Sequence, residues 1–182
     1  MLGKKLLTVC FFVSIFFGHV ACASEPKKFG EWYVGVMDDS EGMYAATVNE
    51  SGGILGQYCF FASENCVWLI ANDIACEPDG SYVILMNAES SAGDHKLKCF
   101  PNDARKEQPR YVFADFDAID APLRKSSFVG FAFPLESGKF QVSRFALYGM
   151  TKALDFMREG VTRLSKGSAG RKGGAKTGDI TL

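Results

Sequence analysis

Of 182 residues, 20 are Lys or Arg, 21 are Asp or Glu and two are His. One histidine falls in the N-terminal leader, so a metal site built on a pair of histidines is excluded in the mature chain. Five basic residues and one acid lie from Arg163 onward, which leaves the body of the mature chain near −7 and argues against a nucleic-acid groove on it.

Lys4 and Lys5 form a short positive segment, Leu6 to Val20 is almost wholly apolar, and Ala21-Cys22-Ala23 supplies small residues before Ser24. This layout predicts a secretory signal peptide over 1–23, cleaved after Ala23. The apolar run of about 15 residues is shorter than the roughly 20 of a membrane span, which argues against an uncleaved anchor. Cys22 after Val20-Ala21 also partly resembles a lipoprotein cleavage box, with Cys22 lipidated. His19 stands where that box prefers an aliphatic residue, so cleavage after Ala23 is favoured. The 159 residues that remain, of net charge −3 (18 basic against 21 acidic), suit one domain with a real core over 24–165 and a periplasmic or secreted destination.

After a polar lead-in over 24–28, Trp32, Val34 and Val36 alternate with Glu31, Tyr33 and Gly35, a half-buried strand. Tyr44, Ala46 and Val48 alternate again, beyond a polar turn at Asp38–Gly42. Asn49-Glu50-Ser51-Gly52-Gly53 is a loop, and Leu55–Phe61 and Cys66–Ala71 are two further apolar runs, the second placing Cys66, Trp68 and Ile70 on one face. Pro78-Asp79-Gly80 predicts a turn, because Pro presets φ and Gly tolerates positive φ. The continuous apolar run Tyr82–Met86 predicts a strand covered on both faces, and Lys96-Leu97-Lys98-Cys99 one with a wet face. A short strand follows at Tyr111–Ala114. Phe116, Ile119 and Leu123 then take helical spacing behind a capping Asp115, which predicts one or two helical turns. Phe128–Leu135 and Lys139–Leu147 read as a hairpin. Its second strand needs a bulge near Ser143-Arg144 if Phe140 and Val142 are to share the inward face with Phe145 and Leu147. Met150, Ala153, Leu154, Met157, Val161 and Leu164 form the apolar stripe of a C-terminal helix, interrupted by Gly160. Residues 166–182, rich in Gly, Lys, Ser and Thr, predict a disordered basic tail. About nine short strands point to a mainly β fold, an antiparallel sandwich or barrel-like domain with a short helix and a C-terminal helix.

Cys59, Cys66, Cys76 and Cys99 remain after the leader, an even set that predicts two disulfides in an exported chain. Three connectivities are open. Cys59–Cys66 and Cys76–Cys99 are favoured because each staples a local hairpin-like segment, contributing roughly 2.5 and 3.5 kcal/mol in the loop-entropy account. No C-x-x-C pair supports zinc.

Chemistry-bearing motifs are few. His95, in the polar segment Ala92-Gly93-Asp94-His95, reads as an exposed loop histidine, and no G-x-S-x-G elbow accompanies it. Asp115, Asp117 and Asp120 have two readings, a calcium or paired-carboxylate site and plain helix capping, and capping explains the residue types. Asp38, Asp39 and Glu41 read as a solvated turn. Gly170-Arg171-Lys172-Gly173-Gly174-Ala175-Lys176-Thr177 nearly matches a phosphate-binding loop, but Ala175 replaces the glycine before the lysine and no strand precedes it. Asn49-Glu50-Ser51 matches a glycosylation acceptor, to which a bacterial-type leader gives no weight. Among the aromatics, Trp32, Tyr33, Tyr44, Tyr58 and Trp68 are candidates for an interaction surface, with core packing as the competing role.

Phe29-Gly30-Glu31-Trp32, then Phe128–Leu135, Gly138-Lys139-Phe140 and Arg144-Phe145-Ala146-Leu147-Tyr148-Gly149-Met150-Thr151-Lys152-Ala153-Leu154, together resemble the opening and closing signatures of the invasion-associated locus B family. They cover about a quarter of the mature chain. The resemblance implies an exported β-rich protein of the periplasm or outer surface, linked in some bacteria to host-cell invasion, with no enzyme activity. A cysteine that many members carry just after the tryptophan signature is absent here, where Val34–Met37 stands. The resulting expectation is a non-enzymatic protein without cofactor or metal, acting by contact with a protein partner. A periplasmic inhibitor resembling small lysozyme inhibitors, or a small ligand-binding module, is the alternative. A hydrolase using Asp115 to Asp120 is the third reading.

Overall fold

The computed structural model describes residues 25–100 and 108–171, with side chains to 166. The expected leader, Cys22 and most of the basic tail, including the phosphate-loop-like run from Lys172 onward, lie outside the described residues.

Ten antiparallel strands form one continuous sheet: β1 (Lys27–Phe29), β2 (Trp32–Val36), β3 (Gly42–Val48), β4 (Ile54–Phe60), β5 (Cys66–Ala71), β6 (Ser81–Ala88), β7 (Ser91–Phe100), β8 (Arg110–Phe113), β9 (Phe128–Pro134) and β10 (Phe140–Ala146). Helix α1 (Phe116–Leu123) precedes β9 and α2 (Met150–Arg171) follows β10. The strand order is β1-β2-β3-β4-β5-β8-β7-β6-β9-β10, so β1 and β10 are the edges and the sheet does not close. It bends until β10 meets β3, and Trp32 Nε1 donates to the Ala146 carbonyl at 3.2 Å. The expectation of a mainly β, sandwich-like antiparallel domain with two helices therefore holds.

Both expected disulfides form. Cys59 and Cys66 face each other across β4 and β5, and Cys76–Cys99 ties the segment before the Pro78-Asp79-Gly80 turn to β7. The first clamps two neighbouring strands and the second clamps a loop to a strand.

The inner face holds the core. Trp32 and Trp68, fully buried, meet edge to face at 6.1 Å, and Tyr111, Phe113, Phe131, Phe133 and Phe145 continue the aromatic chain across the other half of the sheet. Helix α2 lies on β2 and β3 and buries Met150, Ala153, Leu154, Met157 and Val161, as the stripe predicts, with Leu164 half exposed at its far end. Gly160 has a packing reason: a Cβ there would sit 2.6 Å from Met43 Sδ. Helix α2 runs on to Arg171, into the segment expected as tail.

Four local expectations are corrected. The run Tyr82–Met86 is covered on one face only: Ile84 and Met86 point into the core, while Val83 and Leu85 are about half exposed. In β3 the core takes Met43, Ala45 and Thr47, and the alternating set Tyr44, Ala46 and Val48 turns outward. No bulge interrupts β10. Its register with β9 is continuous from Phe140↔Pro134 to Ala146↔Phe128, so Ser143 and Phe145 are buried and Phe140 and Val142 face outward. The polar segment at His95 is strand rather than loop, because the ladder with β6, Ile84↔His95 included, uses backbone groups and asks nothing of the side chains.

Candidate functional site

The five candidate aromatics divide between two environments. Trp32 and Trp68 are core. Tyr33, Tyr44 and Tyr58 lie on the outer face of β2 to β4, where Tyr44 and Tyr58 stack at 6.0 Å and Lys28 lies over the Tyr33 ring. Gly35 makes room for this: a Cβ there would meet the Tyr44 hydroxyl at 2.7 Å. Desolvation, and then the charge of Asp38, raises the Tyr44 hydroxyl above the usual tyrosine range.

The acidic residues do not converge. Asp115 caps α1, its Oδ1 accepting the Ala118 N–H at 3.0 Å, and Asp117 sits in the first turn, where the helix dipole favours it. Asp120 faces inward and serves structure. Its Oδ1 accepts from Gln57 Nε2 at 3.0 Å and Trp68 Nε1 at 3.1 Å, its Oδ2 from Arg124 Nε at 2.6 Å, and Arg158 stands 3.6 Å away. That hub was missed in the sequence; the one signal for it is the Asp120–Arg124 spacing of i,i+4. Asp39 Oδ1 accepts the Glu41 N–H within its turn. Among the described residues, no group of three His, Cys, Asp or Glu side chains could hold a metal ion.

His95 packs edge-on against Phe113. Burial lowers its pKa below the ordinary value, and the nearby Asp94 and Asp115 oppose this in part. The folded state thus prefers the neutral ring, and stability from this residue is present above the ordinary histidine pKa and lost as pH falls through it. Urea titrations of the parent and His95→Gln should diverge on acidification from pH 7 and run parallel above it. Parallel curves throughout would remove His95 as a contributor. Tyr111, buried and donating to the Ile74 carbonyl at 2.9 Å, is pushed up to about 12 by desolvation and then by Tyr82.

Two depressions flank α2. One of about 470 Å³ is lined by Arg158, Glu159, Thr162 and Arg163. The other, about 400 Å³, lies where Phe29-Gly30 meets Leu147-Tyr148-Gly149. This second place joins the two motifs that carry the family resemblance. Glu31 N–H donates to the Tyr148 carbonyl at 3.1 Å, and Gly149 comes so close to the chain opposite that a Cβ on it would stand 2.0 Å from the Phe29 carbonyl oxygen. The two segments form a structural latch between the start of the sheet and the start of α2.

The outer face of β6, β9 and β10 carries a group of exposed apolar side chains. Register aligns Leu85, Ala132 and Val142 in one row, and Asn87, Gly130 and Arg144 in the next. Pro134 and Phe140 pair beside the first row. Val83, Leu85, Phe140 and Val142 are each about half exposed. Gly130 leaves space in which the Arg144 stem lies, Cγ 3.8 Å from where a Cβ would stand. Lys96 and Asp94, opposite Val83 and Leu85 on β7, supply a charged margin. Small residues in β9 between larger ones in β6 and β10 make this face a shallow trough with apolar walls.

No known family's sequence pattern matches the chain, and no curated protein sequence matches it. In structure, it is similar to the crystal structure of invasion associated protein B from Bartonella henselae, with a TM-score of 0.54 and 11% sequence identity over 79% of this chain and 99% of that one. The likeness shows a shared fold. Among the described residues no helix is long and apolar enough to cross a membrane.

Proposed function

We propose that this is an exported, non-enzymatic protein of the periplasm or cell surface that acts by contact with another protein, through the outer face of β6, β9 and β10. The observation that carries the proposal is the aligned apolar set Leu85, Ala132 and Val142 with Val83 and Phe140 beside it, of which Val83, Leu85, Phe140 and Val142 are about half exposed. Contiguous apolar surface of this kind on a domain with a well-filled core marks an interaction site. Anchors of Phe, Val and Leu with a charged margin have the anatomy of a protein interface. Export is supported by the leader-like N-terminal sequence and by two disulfides, which persist in oxidising compartments. The fold likeness to a protein named for invasion extends the proposal to a role in host association, although a fold does not carry a function with it.

A photo-reactive amino acid at position 85, in intact cells, tests both parts at once. The expected product is a discrete adduct with one other protein, absent when the label replaces Glu50 in the exposed loop before β4. Its intact mass should show a chain starting at Ser24 that gains four hydrogens on reduction. A chain that keeps Met1, or that carries free thiols, overturns export. Absence of an adduct at position 85 overturns the contact surface.

A further inference from the structure

We infer that the free edge of β10 pairs with the same edge of a second copy of this chain, antiparallel about Val142, to make a two-fold dimer with one continuous sheet. The inference stands on the edge itself and goes beyond the proposed contact face.

The hydrogen-bond parity of the β9–β10 hairpin identifies which backbone groups are free. Leu135 N–H donates to the Lys139 carbonyl and Leu147 N–H to the Ser127 carbonyl, and both pairs lie on the register of the two strands. Bonded pairs recur at every second residue of an antiparallel ladder, so Gln141, Ser143 and Phe145 bond to β9. Phe140, Val142, Arg144 and Ala146 turn their N–H and C=O groups outward. Ala146 confirms the parity, since its carbonyl accepts from Trp32 Nε1. Among the described residues no partner meets the outward groups of Phe140, Val142 and Arg144, whose side chains are all exposed.

The two edges of the sheet are treated differently. β1 is three residues long and carries Lys27 and Lys28, the short and charged form that keeps an edge from pairing. β10 is seven residues long, has no proline, lysine or bulge, and presents Phe140 and Val142. A long edge whose one charged side chain is Arg144 is a template for another strand.

The order of side chains selects the occupant. Placing a two-fold axis at Val142 sets Val142 against its own copy and Phe140 against Arg144 of the second chain, twice. Each cation then lies beside a ring, while the parallel alternative stacks like on like. The pairing forms about six backbone hydrogen bonds. It also uses up the edge, so assembly stops at two.

Sedimentation of the oxidised full chain, purified from the compartment in which it is oxidised, tests this. The expected result is a monomer–dimer equilibrium with a Kd on the order of 10 µM, as for a small interface. Val142→Glu sets two carboxylates on the axis and should weaken the dimer roughly 100-fold. Amide hydrogen exchange on the unchanged protein provides the second measurement: protection at Phe140, Val142 and Arg144 should rise with concentration. A monomer at every concentration up to about 1 mM, a dimer that Val142→Glu leaves intact, open-ended oligomers, or edge amides that stay unprotected in a sedimenting dimer would each overturn the inference.

Discussion

Gly149→Ala should destabilise the protein by on the order of 4 kcal/mol or more, a large share of the 5–15 kcal/mol that holds a domain together. Gly149 has φ of +91°, a region that L side chains rarely adopt, and its missing Cβ is the space into which the Phe29 carbonyl fits. Alanine must therefore either change the backbone angle or push β1 away. Pushing β1 away breaks the Glu31–Tyr148 hydrogen bond and strains the adjoining Trp32–Ala146 bond, which anchors a fully buried indole. Gly30 is the other half of the latch, with φ of +57° and Tyr148 packed where its Cβ would be. Thermal unfolding should place Gly149→Ala far below the parent, and Gly138→Ala, in an open turn with nothing within 4 Å of its Cβ, between the two. Equal losses at the two positions would mean that positive φ alone matters and that the latch adds nothing.

The latch also explains what was legible in the sequence. The two motif segments lie more than 100 residues apart, and each looks like an ordinary strand edge followed by glycine; only their contact shows why both glycines are there. Strand positions were legible because alternation and turn residues are local, and the disulfide partners because each bridge closes one local segment. Facing was not. In β6 and β10 an apolar side chain on the solvent side carries the same pattern as one in the core, so the pattern predicts buried faces for Val83, Leu85, Phe140 and Val142 that the sheet does not supply. The bulge expected in β10 came from the same assumption. The outer face of β6, β9 and β10 is therefore made of residues whose chemistry suggests the interior. Trp32 and Trp68 went to the core because the sheet bends over them, a consequence of strand order that local pattern does not contain.

Asp120→Ala should cost about 3 kcal/mol, with Asp120→Asn costing about half as much. Asp120 places its carboxylate among a buried indole N–H, a fully buried glutamine and two guanidinium groups. Removing it leaves Trp68 Nε1 without its acceptor inside the core. Gln57 keeps Arg158 on its Oε1, at 3.0 Å, but its amide N–H has no other partner among the described residues. Arg124 loses its one acceptor, and its Nη2 is already buried without a hydrogen bond. The loss stays below that of a fully buried ion pair because Arg124 and Arg158 are a quarter and two-fifths exposed and can recover water. Asparagine retains an oxygen for Trp68 and Gln57 but turns an NH2 donor toward Arg124 Nε, so it gives up the charge and that one hydrogen bond while the buried indole keeps its acceptor, which sets the smaller value. Chemical denaturation of both variants, with Asp117→Asn as an exposed neighbour on the same helix, measures the difference. A double-mutant cycle with Trp68→Phe isolates the indole hydrogen bond, for which a coupling of about 1 kcal/mol is expected. If Asp120→Ala falls within 0.5 kcal/mol of Asp117→Asn, the hub holds nothing in place. Asp120 would then be a conformationally free carboxylate beside two arginines, and the case for a chemical role at α1 would reopen.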